Sequence, residues 1–175
     1  MNITAMYFSG TGTTKKVTAA IADELTEIKI SQDETAAGEN PGSIKAGIKP
    51  WQRAADIDFT PPAARREIYR FAPDDLVVFG VPVIAGRVPN VLLKFLDTLQ
   101  GGGALAVPVV LYGNRNFDDA LIELRNILQD RGFYAIGAAA FIGEHSFSRI
   151  LAAGRPDSSD MELSRDFARK LAGKI

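Results

Sequence analysis

The sequence predicts an open α/β sheet of five parallel strands with helices on both faces, and three observations predict it. Five short apolar runs lack the alternation of a half-solvated strand, as strands buried on both faces do. Between them, apolar residues recur at helical spacing. The first run stops at "SGTGTT", residues 9–14, and the glycine- and hydroxyl-rich stretch leads straight into a helical pattern, where α/β sheets place their ligand loops. Strands and helices alternating in this way fold with right-handed crossovers and bury the sheet on both sides.

The elements follow in order. "NITAMYF" (2–8) is the first strand. Val17, Ala20, Ile21 and Leu25 form the stripe of an amphipathic helix, and "EIKI" (27–30) reads as a brief second strand. From Ser31 to Phe59 the pattern dissolves around "AAGENPGSIKAGIKPWQR". A loop this long tends to be a functional flap or an ordered excursion, and Trp51 is expected to pin it to the body of the protein. "TPPAARREIYRF" opens with a Thr–Pro pair suited to a helix start. Leu76–Gly80 is the core of the third strand. After the turn "IAGRVPN", Val88, Val91, Leu92, Phe95, Leu96 and Leu99 share one helical face up to the break "GGG" at 101–103. "LAVPVVLYG" is the fourth strand. Phe117, Ala120, Leu121, Leu124, Ile127 and Leu128 trace the next helix, which stops at Arg131-Gly132. "FYAIGAAAFIG" is the fifth strand. The last helix is expected to be capped by the serines at 158–159, with Leu163, Phe167 and Leu171 as its apolar stripe.

Composition bounds the function. The 175 residues, 46% hydrophobic and 23% charged, suit one globular domain spanning 1–175. A net charge of -1 with interspersed signs gives no pull toward nucleic acid or anionic membranes. The chain has no cysteine, which excludes disulfides, thiolate zinc sites, iron–sulfur clusters and cysteine nucleophiles together. No signal-like segment or run of membrane-spanning length stands out, so a soluble cytoplasmic protein is expected; the oligomeric state is left open.

Chemistry is sought at the carboxyl ends of the strands, in the loops after the first, third and fourth. Ser9, Gly10, Thr11, Gly12, Thr13 and Thr14 join a strand end to a helix N-terminus, where unpaired amides and the helix dipole attract an anion. The glycines let the backbone turn inward and the hydroxyls add donors, more of them than a turn and a cap require. A phosphate fits there. Two familiar nucleotide motifs fail: Lys15 stands five positions after Gly10 without a glycine directly before it, and it also occupies the place of the third glycine in a dinucleotide fingerprint. A phospho-accepting receiver domain fails as well, because "VVFGVPV" offers no aspartate at the end of the third strand.

The loop resembles the phosphate loop of flavodoxins, Ser/Thr-x-Thr-Gly-x-Thr, with Ser9, Thr11, Gly12 and Thr14 at the defined places. "FGVPVIAGRVPN", "YGNRNFDDALIEL" and "GEHSFS" are similar to flavodoxin-like domains often fused to a ferredoxin-type module, which is absent here. The resemblance implies a flavodoxin-like fold and FMN as cofactor, with its phosphate at 9–14. It puts the isoalloxazine ring between Pro82, Val83, Ile84, Ala85, Gly86 and Arg87 on one side and Gly113, Asn114, Arg115, Asn116 and Phe117 on the other. Phe117 is the expected stacking residue, equally suited to the core, and Asn114 the partner of the ring's pyrimidine edge. Gly86 would turn a carbonyl toward the ring, Arg87 would set positive charge near it, and Tyr112 is expected in the core. His145, the only histidine, lies just past the fifth strand with Glu144 and Ser146, as a candidate for proton delivery.

The resemblance therefore implies a redox protein that passes electrons through FMN between a donor, either a partner protein or NAD(P)H, and a separate acceptor. Val83 and Ile84 stand where many flavodoxins have an aromatic residue, a departure that either weakens binding of the ring or leaves one face open to a substrate, the latter favouring an oxidoreductase over a carrier. A non-catalytic binding or regulatory module is the alternative.

Overall fold

The computed structural model describes residues 1–39, 50–145, 147–148 and 150–175. The elements are β1 (Asn2–Tyr7), α1 (Thr13–Glu39), β2 (Gln52–Arg53), β3 (Ile57–Asp58), β4 (Asp75–Pro82), α2 (Asn90–Leu96), β5 (Leu105–Tyr112), α3 (Ala120–Asp130), β6 (Tyr134–Ala135), β7 (Ala139–Ile142) and α4 (Ser158–Ala172). The sheet order is β2-β1-β4-β5-β6, with β3 also on β1 and β7 also on β5, and every named pair is parallel. Five strand positions result, the two outer ones divided. Register places Ile3 beside Leu76, Met6 beside Phe79, and Val78 beside Val107.

Successive residues of the central strands feed opposite cores, as a pleated sheet covered on both faces requires. Ile3, Ala5, Tyr7, Val78, Val107 and Val109 pack with Val17, Ile21 and Leu25 of α1 and with Met161, Ala168 and Leu171 of α4. Met6, Val77, Phe79, Val81 and Val110 pack with Leu92, Phe95 and Leu96 of α2 and with Leu124 and Leu128 of α3. The order reverses at β1, whose neighbours are β2 and β4, so the crevice beyond β1 and β4 is the switch point where such sheets take ligands.

The structure corrects several expectations. "EIKI" is not a strand: α1 runs through it, because Ile28 continues the stripe of Ile21 and Leu25 while Ile30 is exposed. Two isolated isoleucines at spacing 2 imitated alternation. The second strand position is filled by β2 and β3, inside the segment that carries no periodicity. Trp51 is buried at its entry, as expected. Residues 40–49 of that segment lie outside the described residues.

"TPPAARREIYRF" forms only the short turn Ala64–Arg66, and no α-helix; Phe59, Tyr69 and Phe71 cover the core there instead. Helix α2 ends at Leu96, and Val91 is exposed rather than on the buried stripe. The cap of α4 is Asp157, whose side chain accepts from the Asp160 amide at 3.0 Å, with the reciprocal bond completing a capping box. The serines at 158–159 fall inside the helix, and Met161, Ser164 and Ala168 are buried where Leu163 was expected to be.

Candidate functional site

The loop after β1 is shaped by two caps. The Ser9 hydroxyl accepts the Lys15 amide at 3.0 Å, and the Ser9 amide donates to the Thr60 hydroxyl at 2.8 Å. Gly12, at φ +85, starts the helix by accepting the Lys16 amide at 3.1 Å. Among the described residues, the amides of Gly10, Thr11, Gly12, Thr13 and Thr14 donate to no protein acceptor. That run of N–H groups stands at the positive end of a 27-residue helix, an arrangement that favours an anion. The Thr11 and Thr13 hydroxyls lie 3.1 Å apart at its rim. Thr14, buried, lines the cavity beyond.

This cavity, about 280 Å³, is bounded by the loop, by Pro82, Val83 and Ile84 after β4, and by Leu111, Gly113, Gly143 and Glu144. A second one of about 550 Å³ adjoins it and shares Val83, Ile84 and Gly113. The rest of its lining is Ala85, Gly86, Tyr112, Arg115, Asn116, Asp118, His145 and Phe147. Together they fall within the ~300–1,000 Å³ of cofactor sites.

Its walls are strained turns. Ile84 and Arg87 exchange two backbone hydrogen bonds, at 3.0 and 3.1 Å, around Ala85 at φ 51 and Gly86 at φ 73. Two positive φ values make a type I′ turn, and alanine there costs about 1–2 kcal/mol. Asn114 (φ 58) and Asp118 (φ 41) repeat the feature on the opposite loop. Such strain collects where a surrounding structure fixes a ligand-binding shape. A Cβ on Gly86 would lie 2.4 Å from Asp118 Oδ2, and one on Gly113 would lie 2.6 Å from His145 Cδ2. The loops therefore touch across positions that only glycine tolerates.

The predicted residues divide. Gly10, Thr11, Thr13, Thr14 and Pro82 line the smaller cavity, and Val83, Ile84, Ala85, Gly86, Gly113, Arg115 and Asn116 the larger. Ser9 and Gly12 frame the loop. Asn114 is exposed and lines neither cavity. Arg87 forms a two-pronged pair with Glu123, at 2.6 and 2.9 Å, and lines neither cavity. These bonds hold the Glu123 carboxyl below the usual carboxylate range, helped by the Val88 amide. Of the two places open to Phe117 the core is taken, under α3 with its ring 5.4 Å from Tyr112, and Tyr112, expected in the core, lines the larger cavity. Glu144 and His145 reach the two cavities, whereas Ser146 lies outside the described residues. Sequence reasoning missed Asp118 and Phe147; the positions of Gly86 and Gly113 against them carry that signal only once the loops are assembled.

The assembly is an open parallel sheet with unpaired amides at its switch point and a wide cavity beside them. Comparison with solved structures specifies the fold further. The chain is similar to oxidised flavodoxin 2 from Bacillus cereus, with TM-score 0.62 and 16% identity over 100% of both chains. Flavodoxin 1 from Bacillus cereus gives 0.60 and 17%, over 100% of this chain and 99% of that one. An apo NADH:FMN oxidoreductase gives 0.60 and 17%, over 99% and 89%. The fold is flavodoxin-like. No family model and no curated sequence matches the chain. Among the described residues, no helix is long and apolar enough to cross a membrane.

Proposed function

We propose that this chain is an FMN-binding redox protein, a single domain over 1–175, that takes electrons from a reduced donor and passes them to a separate acceptor, with NAD(P)H as the favoured donor. The observation that carries the reading is the run of unpaired amides from Gly10 to Thr14, beside a cavity that shares Val83, Ile84 and Gly113 with a second of about 550 Å³. A phosphate monoester needs such a set of donors: the amides and the Thr11, Thr13 and Thr14 hydroxyls satisfy its oxygens without a basic side chain. Ser9 keeps the loop in shape through its cap. The strip shared by the two cavities, Val83, Ile84 and Gly113, suits a ribityl chain.

Around the ring, Val83, Ile84 and the Ala85–Gly86 turn would form one wall and Tyr112 to Asn116 the other. Bound FMN would supply the electron-accepting chemistry, and the protein supplies position and electrostatics. Ile84, aliphatic and 36% exposed, leaves its side of the cavity accessible to a small reductant. The net charge of -1 lacks the strong acidic excess that would draw the chain to a basic reductase. Both features favour an oxidoreductase over a dedicated carrier, working in the cytoplasm without nucleic acid or membrane. The NADH:FMN oxidoreductase among the similar folds supports the choice of donor.

The test is direct. Purified protein is expected to release FMN as its chromophore, and the bound flavin to bleach under anaerobic NADH or NADPH. Protein that neither carries nor quenches FMN would overturn the reading in favour of a non-catalytic binding module.

A further inference from the structure

The larger cavity contains a histidine with one nitrogen already committed. His145 Nδ1 accepts the Phe147 amide at 3.2 Å. A ring nitrogen that accepts carries no hydrogen, so the neutral imidazole holds its proton on Nε2. Among the described residues Nε2 has no partner, although the ring lines the cavity. The ring is also fixed in place. A Cβ on Gly113 would approach His145 Cδ2 to 2.6 Å and His145 Cα to 2.7 Å, so the loops after β5 and β7 are packed backbone against side chain.

The charged and titratable groups that line the cavities beside this ring are Tyr112, Arg115 and Asp118 in the larger and Glu144 in the smaller. Asp118 Oδ1 is taken by the Asn116 amide at 2.7 Å, and Glu144 Oε1 accepts the Gly154 amide at 3.2 Å. Arg115 has no ion-pair partner among the described residues. The Arg115 guanidinium and the His145 Nε2–H are thus donors beside the cavities without a protein acceptor among the described residues, while Asp118 Oδ2 and Glu144 Oε2 remain as acceptors.

We propose that His145 donates its Nε2 hydrogen to an acceptor atom on the uracil-like edge of the flavin, and that this bond holds the reduced cofactor more tightly than the oxidised one. The proposal rests on the FMN reading above. Its physical basis is differential: reduction adds electron density to the carbonyl and nitrogen acceptors of that edge, and hydrogen bonds to charged acceptors are about twice as strong as neutral ones. A ligand that binds one redox state better shifts the equilibrium toward it by its differential affinity alone. Phe147 then acts as the positioning residue, because its amide selects the donating tautomer. The consequence is a site poised to accept electrons, which suits a hydride donor better than a strongly reducing carrier partner.

The experiment compares the wild type with His145→Ala and His145→Gln, the latter keeping an N–H near the place of Nε2. Dissociation constants for oxidised FMN and midpoint potentials of the holo-proteins give the affinity ratio of the two states. His145→Ala is expected to weaken reduced FMN about tenfold relative to oxidised FMN, lowering the two-electron midpoint by about 30 mV, and His145→Gln to restore most of it. Because the chain has one histidine, ¹⁵N NMR of the wild type reads the tautomer without ambiguity and without turnover. Nε2 should be protonated, Nδ1 bare, and the Nε2 signal should move on adding FMN. An unchanged midpoint in His145→Ala, or a protonated Nδ1 in the neutral ring, overturns the proposal while FMN binding stands. A wild type that binds no FMN overturns both readings.

Discussion

Gly80, in β4 beneath α1, offers a quantitative test of how the sheet sets the loop after β1. A Cβ built on it would meet Thr18 Oγ1 at 2.0 Å, Thr14 Cγ2 at 3.0 Å and Thr18 Cβ at 3.2 Å. The contact with Thr18 Oγ1 is the severe one, because the Thr18 side chain is packed between α1 and the sheet and leaves its position only by pushing α1 outward; the other two ask for shifts of a few tenths of an ångström. Overpacking a close-packed interface costs about 1–3 kcal/mol. Replacing a strand glycine returns roughly 0.5–1 kcal/mol of backbone entropy, so Gly80→Ala should destabilise by about 1–2 kcal/mol in urea unfolding. Because Thr14 lines the smaller cavity, the same displacement should weaken FMN binding. Thr18→Ala is the informative partner, since the Thr18 hydroxyl is buried with no hydrogen-bond partner among the described residues. Its removal deletes an unsatisfied group and opens space for the new methyl. The double variant Gly80→Ala/Thr18→Ala should therefore lie at least about 1 kcal/mol above the sum of the single effects, a coupling typical of contacting residues. Additive single effects, or a Gly80→Ala protein as stable as the parent, would refute the close approach of α1 to β4.

Three further outcomes are expected. Thr11→Ala with Thr13→Ala removes two rim hydroxyls that bond only each other; FMN affinity, read by fluorescence quenching, should fall about a hundredfold or more at roughly 1.5–3 kcal/mol per bond to a charged group, with the urea midpoint unchanged. Ser9→Ala removes the cap on the Lys15 amide and should cost about 1 kcal/mol of stability even without ligand, as a capping loss does. Burial, aided by Asp56 and Asp58, pushes the Tyr7 phenol up from 10.0 to about 12. Its contribution to stability is therefore fully present below pH 10.0 and lost as pH rises toward about 12; Tyr7→Phe should flatten that alkaline loss in urea titrations.

Much of the architecture was legible because it is written in local patterns. The continuous apolar runs of β1, β4 and β5 and the stripe of α3 announce elements buried on both faces or on one. The misreadings have equally local causes. Ile28 and Ile30 fit a two-residue period by chance, and only the packing of Ile28 beside Leu25 decides for helix. β2 and β3 are two residues each and borrow their order from the edge of β1, so no pattern of their own marks them. The Asp157 cap of α4 competed with adjacent serines, and the reciprocal bond of Asp160 chose between them.

The sequence by itself determined the loop after β1, because a strand end, two glycines, the hydroxyls and a helix start are contiguous, and short-range geometry suffices to leave its amides unpaired at a helix N-terminus. Tertiary structure alone decided the larger cavity. Arg87 is diverted by Glu123, 36 residues away, Tyr112 rather than Phe117 faces the opening, and His145 reaches it because Gly113 leaves room for its ring. Those assignments depend on which side chains meet across loops distant in the chain, and no local periodicity encodes such meetings.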